Sequence, residues 1–518
     1  MPAMLAIPAG PAATASPGSG ASRHTRRGLP RLAGIVALAM GAGSTVACDP
    51  ARRPPLFGGS KVVHVATFVG QDRQVFTGSE RSAVELQRAA NVINQKGLGF
   101  EIRVDFMLHP PRPAAGPGGQ APSVPQEGAT PVPTPTPFVP TAITLEQALT
   151  GGELAGGAPS PDLVLLTSMF ELPALLERKL IDPVEEVVKA DRSFSLEDFA
   201  PGVLEAVRTR GKVAVLPLAG QVTCLLYDAH LFDSGGVARP DRNWTWTDLV
   251  EAGRRLTTPT GAGGVPQWGI YAHNNIQLLL AMIWSHGGEL VSKDGRRSLL
   301  GDPAARQGIE LWTDLLLRHR IAPQPPPGLN IGWSPSSTEI WINTYDPRQP
   351  GGLQPTGTRE RLAMITSSSP PLTTSPFGTS GPRTIMPSPL PRGQQRATQV
   401  SVSAGLAMGA RSQDQRLAIR AAVALYDHLV ESPNVSFGYP LRKPDAAMLR
   451  RFESRMTDED AEVMADAFSY CRGVPLELSS QYFSILNSKL MTPILSGRAA
   501  PDEAGREAAA ALDGLLNP

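Results

Sequence analysis

Cysteine is scarce in this chain: Cys48, Cys224 and Cys471 are the only three among 518 residues, and no CxxC pair occurs. That spacing excludes a cysteine-built zinc site and a thioredoxin-type motif, and Cys224 and Cys471 read as two buried free thiols. Basic runs are absent beyond the N-terminus, and the formal net charge is +1. A nucleic-acid partner is excluded with them, because phosphate contacts dominate such affinity and need a cationic track. Catalytic signatures are missing too: there is no HExxH, no GxSxG elbow, no P-loop and no GxGxxG opening a helix. Asp248 or Glu289 could otherwise serve as half of a glycosidase pair, but neither has a companion beside it and both read as solvated charge. His273, His286 and His319 lack mutual metal-ligand spacing. The chain therefore reads as a protein that is not an enzyme and takes neither metal nor cofactor.

The N-terminus carries an address. Arg23, His24, Arg26, Arg27 and Arg31 form a basic segment, and the short apolar run Leu32–Ala42 leads through small residues to Thr45-Val46-Ala47-Cys48. This is the order of a secretory signal, with an apolar run too short for a permanent span. The last four of these residues resemble a lipobox, whose cysteine is acylated and becomes the new N-terminus. Residues 1–47 are thus expected to be removed, leaving Cys48 lipidated and residues 48–60 as a tether at the outer face of the cell membrane. Two or more acyl chains anchor stably where one does not. Thr25–Leu29 is similar to a twin-arginine motif, and the general secretory route stays open beside it. No other stretch is long and apolar enough to span a bilayer.

Composition and length point to a folded body beyond this tether. Hydrophobic content of 41% and charged content of 18% are those of a folded protein in water, and 518 residues exceed a single core. Lys61–Phe68 is β-branched and apolar, Ser79–Asn94 has helical spacing ended by Gly97 and Gly99, and Phe100–Leu108 alternates. Strand, helix, strand opens an α/β domain. Pro110–Pro140 holds eleven prolines and almost no core-forming residues, so it reads as a disordered insertion. The pattern then resumes, with strands expected at Asp162–Leu166, Gly211–Leu216, Thr223–Tyr227 and Val400–Met408. Helices are expected at Leu145–Leu149, Leu172–Lys179, Thr247–Leu256, Ile276–His286, Ala304–Arg318 and Gln415–Leu429. A looser Pro/Ser/Thr-rich stretch runs to about Gly393, and the last hundred residues read as mostly helical.

The order of short phrases along the mature chain resembles the extracellular solute-binding proteins of sugar-type ABC importers, the family of the maltose-binding protein. Pro161–Leu166 looks like that family's "PDVV" strand, Leu176–Pro183 like its "L-x-P-L" segment, and Gly211–Pro217 like "GK-x-Y-x-L-P". Leu226–Phe232, Gly235-Gly236-Val237 and Trp244–Leu256 are similar to "YYNKDLF…AG…TWDE". Gly287-Gly288, Arg361–Met364, Pro387–Pro391, Gly438–Lys443 and Ile494–Gly497 continue the order. Asp228 stands where the family has Asn, Val213-Ala214 replaces a more aromatic phrase, and Phe377–Arg392 is poor in aromatics.

The resemblance implies a two-lobed α/β fold of the type II periplasmic-binding-protein kind, with hinge strands and a ligand cleft between the lobes. Lobe I would hold 61–220 and 404–437, and lobe II 222–403 and 438–518. Hinges would lie near Gly220–Cys224, Ser401–Gly405 and Phe437–Pro440. Cleft residues belong on loops after strand ends, where α/β sheets bind ligands. The candidates are Phe68, Asp72, Ser168, Phe170, Gln221, Trp284, Trp333, Trp341, Tyr345, Ser367 and Tyr439. Aromatic faces and fixed hydrogen-bonding groups suit a sugar. Trp244, Trp246 and Trp312 read as core, and Trp284 as either core or site. The implied partners are a small solute of carbohydrate type, ABC permease subunits and the membrane through its lipid, with the chain acting as a monomer. A non-sugar solute on the same fold, or a partner-binding lipoprotein, remain the alternatives.

Overall fold

The structure, a computed structural model, describes residues 61–69, 79–108, 145–150, 160–191, 194–259, 265–324, 329–333, 339–345, 353–368, 384–431, 438–452, 456–478 and 481–517. The expected signal, Cys48, Asp72 and the Pro-rich stretch lie outside them. Strand β1 (Lys61–Val69) is followed by the helix Ser79–Gln95 and by β2 (Phe100–Leu108). β1 and β2 pair in parallel, Lys61 opposite Phe100 through Val69 opposite Leu108. Then come β3 (Leu163–Leu166) and β4 (Ile181–Asp182). A hairpin of β5 (Arg208–Thr209) and β6 (Lys212–Val213) comes next. Arg210 and Gly211 turn it, both at positive φ (49° and 78°), which is the geometry a two-residue turn demands. The remaining strands are β7 (Val215–Val222), β8 (Cys224–Asp228), β9 (Gln267–Ile270), β10 (Leu329–Trp333), β11 (Glu339–Tyr345), β12 (Leu353–Ser367), β13 (Ile385–Ser388), β14 (Thr398–Gly409), β15 (Tyr439–Pro440) and β16 (Cys471–Arg472).

Two main sheets result. The first runs β15-β7-β14-β3-β1-β2, with β4 and β16 also against β14; the second runs β10-β11-β12-β8-β13, with β9 against β12. Each is the floor of its own core. The first core takes Val65, Ile102, Leu163, Leu216, Leu406 and Leu425; the second takes Leu225, Phe232, Leu249, Trp312, Met364 and Leu486. The helix Ile276–Ser285 is buried at every residue but Gln277, as a helix apolar all round must be. Trp246–Leu256 begins in a capping box, where Thr245 accepts from the Asp248 amide and Asp248 accepts from the Thr245 amide.

The halves exchange the chain at three places, marked by the change of core between Cys224 and Leu225, between Ala397 and Val400, and between Leu476 and Leu478. The expected third hinge at Phe437–Pro440 and the expected lobe boundary at 438 need correcting. Tyr439, Leu441, Leu449, Met464 and Phe468 all bury in the first core, because β15 adds to the edge of the first sheet beside β7 and the helix Asp458–Ser469 stays beneath it. Only after Leu476 does the chain enter the second core. The stretch expected to be loose instead contributes the antiparallel strands β10, β11 and β12. Trp244, Trp246 and Trp312 are core residues, and Cys224 and Cys471 are buried free thiols, both as expected. Among the described residues no helix is long and apolar enough to cross a membrane.

Candidate functional site

One edge of β14 organises the region where the halves meet. On one side β14 pairs with β7 from Ala407 opposite Val215 to Val400 opposite Val222. On its other side β3 ends opposite Gly405, and β16 joins only at Thr398 and Gln399. Between those two strands lies the interval 400–404, with no described strand against it. The loop Thr167–Phe170 leaves β3 toward this interval. Met169 turns under it, buried at 6% exposure, while Phe170 stands out at 44%. Adjacent strands are about 4.8 Å apart, so the β3 loop lies roughly 10 Å from Gln221 across β14. The carbonyl oxygen of the Gln221 side chain accepts from Ser368 Oγ at 2.9 Å, a contact from one half to the other.

The second half meets this edge with the ends of β12 and β9. Ser367 pairs with Cys224, and β9 runs parallel to β12, with Ile270 opposite Met364. The loop Tyr271–Asn274 therefore emerges beside Ser367 and Ser368. Asn275 pins it: buried at 5% exposure, its Nδ2 donates to Thr366 Oγ1 (2.8 Å) and to the Tyr271 carbonyl (3.2 Å). Its Oδ1 accepts from the Leu278 amide at 3.0 Å, so the same side chain caps the buried helix Ile276–Ser285. Asn274 takes positive φ (51°), a conformation Asn tolerates better than most residues. Within the loop, His273 Nδ1 is buried without a hydrogen-bond partner among the described residues. Burial holds the His273 pKa below its ordinary value and the Tyr271 pKa above its own, so both stay neutral near pH 7.

The expected site residues separate into groups. Ser168, Phe170, Gln221 and Ser367 come together along this edge. Trp284 does not: at 1% exposure it is a core side chain, and the Arg472 guanidinium covers its ring at 5.6 Å. Tyr439 is turned into the first core against Phe452, with ring centroids 5.8 Å apart. Phe68 lies at the end of β1, and Trp333, Trp341 and Tyr345 lie in β10 and β11, but their side chains are outside the described residues, as is Asp72 altogether. The loop Tyr271–Asn275 was not expected. Its signal was available in the sequence: a strand-like QWGI, then Asn-Asn directly before a long apolar run, which is how a capped helix after a strand reads. Among the described residues no group of three or more His, Cys, Asp or Glu could hold a metal.

The edge offers hydroxyls, amides and aromatic rings with fixed neighbours, and its chemistry is recognition rather than reaction. The comparisons with known proteins agree. The family model described as bacterial extracellular solute-binding protein matches residues 146–349. The fold is the two-lobed type II arrangement of solute-binding proteins. A cyclic α-maltosyl-1,6-maltose binding protein from Arthrobacter globiformis superposes at TM-score 0.57 and 15% identity, over 88% of this chain and 99% of that one. The sugar-binding protein MalE from Xanthomonas citri gives TM-score 0.57 at 15% identity, over 88% and 97%. UgpB from Mycobacterium tuberculosis, in complex with glycerophosphocholine, gives 0.51 at 15%, over 89% and 99%. Among curated relatives, a binding protein of Brucella abortus is 28% identical over 118 residues, 23% of this chain. The chain spans about a quarter (26%) of that relative's length. The class so defined is an extracellular solute-binding protein of the ABC type, a binder and not an enzyme.

Proposed function

We propose that this protein captures a neutral sugar or oligosaccharide between its two halves and delivers it to the permease of an ABC importer. The single observation that carries the reading is the electrical neutrality of the described edge. Gln221, Ser367, Ser368 and Asn275 supply hydrogen-bonding groups, Phe170 and Tyr271 supply rings, and His273 stays uncharged. A sugar has no formal charge to neutralise; it needs ring faces for its C–H surfaces and fixed partners for its hydroxyls. The fold does not choose the solute, since structures of similar likeness hold a maltose-type sugar or glycerophosphocholine. A phosphate-bearing solute would call for paired Arg or Lys, which these residues do not provide. Ser168 and Phe170 belong to the first half and Ser367 to the second, so contact with both favours an arrangement in which the halves close on the solute. Micromolar capture corresponds to about −8 kcal/mol. In this reading the protein works as an exported monomer held at the membrane by lipid on Cys48. Thermal unfolding of the full chain, carrying Cys48→Ser, against a panel of sugars, polyamines, amino acids and phosphates tests the proposal. A midpoint that climbs with the concentration of a neutral sugar supports it; a response confined to a charged solute refutes it.

A further inference from the structure

We propose that Arg472 is a two-armed ionic clamp that sets how far the two halves stand apart, with Glu289 as its releasable arm. Arg472 lies in β16, at the third place where the chain passes between the cores, and pairs with Gln399 of β14. Its guanidinium meets Glu205 twice (Nε to Oε2 and Nη2 to Oε1, both 3.2 Å). It meets Glu289 twice as well (Nη2 to Oε2 at 2.7 Å, Nη1 to Oε1 at 3.1 Å). A planar guanidinium matched to carboxylates in this way gives direction as well as attraction.

The two arms differ in how they are held. Glu205 closes the helix Pro201–Glu205, which sits directly on β16: a Cβ on Gly202 would come 2.0 Å from the Cys471 carbonyl oxygen, and one on Gly473 would come 2.3 Å from the Ala206 nitrogen. The Gly473 amide also donates to Glu205 Oε2 at 3.1 Å. This arm is fixed within the first half. Glu289 belongs to the second half, just after Gly288, where a Cβ would come 2.6 Å from Ala305 Cα. Arg472 therefore reaches out of the first half, over the face of Trp284 in the second core, to a carboxylate that the second half holds in place. Burial works against the charge of Arg472, but the bonds from Glu289 and Glu205 outweigh it and raise its pKa above the ordinary value. The side chain is 24% exposed and Glu289 41%, so water reaches the Glu289 arm and salt weakens it. The other charged bridges between the halves are longer: Arg242–Glu462 and Arg396–Asp466 both span 3.7 Å.

The clamp depends on the two-half architecture and not on which solute binds, so its test needs none. Spin labels at Val92→Cys and Leu317→Cys, exposed positions one in each half, report the distance between halves in the full chain carrying Cys48→Ser. Glu289→Gln and Glu289→Ala are expected to change the ratio of near to far populations about fivefold toward far. Molar salt is expected to do the same in the wild type and to add nothing in Glu289→Ala. Glu462→Gln is expected to leave the distribution alone, and Arg472→Met to move it further if that variant folds. An unchanged distribution in both Glu289 variants, with unfolding midpoints kept, overturns the proposal; so does an equal shift in Glu462→Gln. Loss of sugar binding with the distances intact would count against the sugar reading alone.

Discussion

Asn275→Ala should cost about 2–4 kcal/mol of stability and loosen the solute edge together with it. The side chain does two jobs at once. As the N-cap of the helix Ile276–Ser285 it accepts from the Leu278 amide at 3.0 Å, and losing such a cap costs about 1 kcal/mol. It also exchanges hydrogen bonds with Thr366, donating at 2.8 Å and accepting at 3.1 Å. Thr366 is 6% exposed, so its stranded hydroxyl adds about 1–3 kcal/mol. Replacing both partners is cheaper than the sum of the single changes, because an apolar pair leaves nothing unsatisfied. In a double-mutant cycle with Thr366→Val, read by urea unfolding, the coupling should reach about 1–2 kcal/mol. Asn275→Ala costing less than about 0.5 kcal/mol, or costs that simply add, would refute the assignment of this residue as the pin of the loop.

Phe170→Ala should weaken solute binding about tenfold, close to 1.4 kcal/mol, while leaving the unfolding midpoint unchanged, since the ring is exposed; isothermal titration against the solute found by the panel measures it. Gly438→Ala should destabilise the protein in thermal unfolding, because φ is +119° and the new Cβ would come 2.6 Å from the Gly220 carbonyl oxygen. Burial pushes the Cys224 and Cys471 thiols from 9.0 up to about 12, so neither should react with a thiol reagent at pH 8 until denaturant is added. Since these pKa values are raised on folding, the stability linked to them is whole below pH 9 and falls as pH rises from there toward 12. His273 has the opposite sense. Its folded pKa is depressed by burial, so the stability linked to it is present above the unfolded value and falls as pH drops below about 6.5; NMR titration of its ring should give a midpoint under that of a free imidazole.

Local pattern carried the elements whose physics is local. Phe100–Leu108 alternates and is β2; Gln415–Glu431 has one apolar face and is a helix that presses Ala418, Ala422 and Leu425 into the first core. Strand β12 was legible only near Met364, because Pro355 and Gly357 disguise its earlier part as loop. At Gly438-Tyr439-Pro440 the punctuation did signal a reversal, and the chain does reverse there, into an edge strand of the sheet it had not left. The real third crossing, at Leu476–Leu478, carries no such mark. Trp284 illustrates the limit at the site, since its burial depends on Arg472, 188 residues on by numbering, which a single sequence does not pair with it. Arg472 itself finds Glu205 and Glu289 at separations of 267 and 183 residues.

The same distances in sequence explain why the joint between the halves is built as it is. Two of its three crossing segments are hydrogen-bonded to each other: Val222 lies opposite Val400, and the Thr223 amide donates to the Gln399 carbonyl at 2.9 Å. The third crossing is tied to them through β16, paired at Thr398 and Gln399. A narrow ribbon of this kind resists sliding, because sliding breaks backbone bonds, whereas twisting and bending only redistribute them. The soft coordinate is therefore rotation of one half against the other, and the backbone itself sets no preferred angle along it. Preference must come from side chains that span the joint, namely Ser368 on Gln221 and Arg472 on Glu289. The first lies at the solute edge, within reach of whatever binds there, and the second lies beside Trp284 away from it. A solute can then compete for or complete the first contact while the second acts at every stage of occupancy. Changes at Gln221 should accordingly alter solute selectivity, and changes at Glu289 should scale the affinity for all solutes alike.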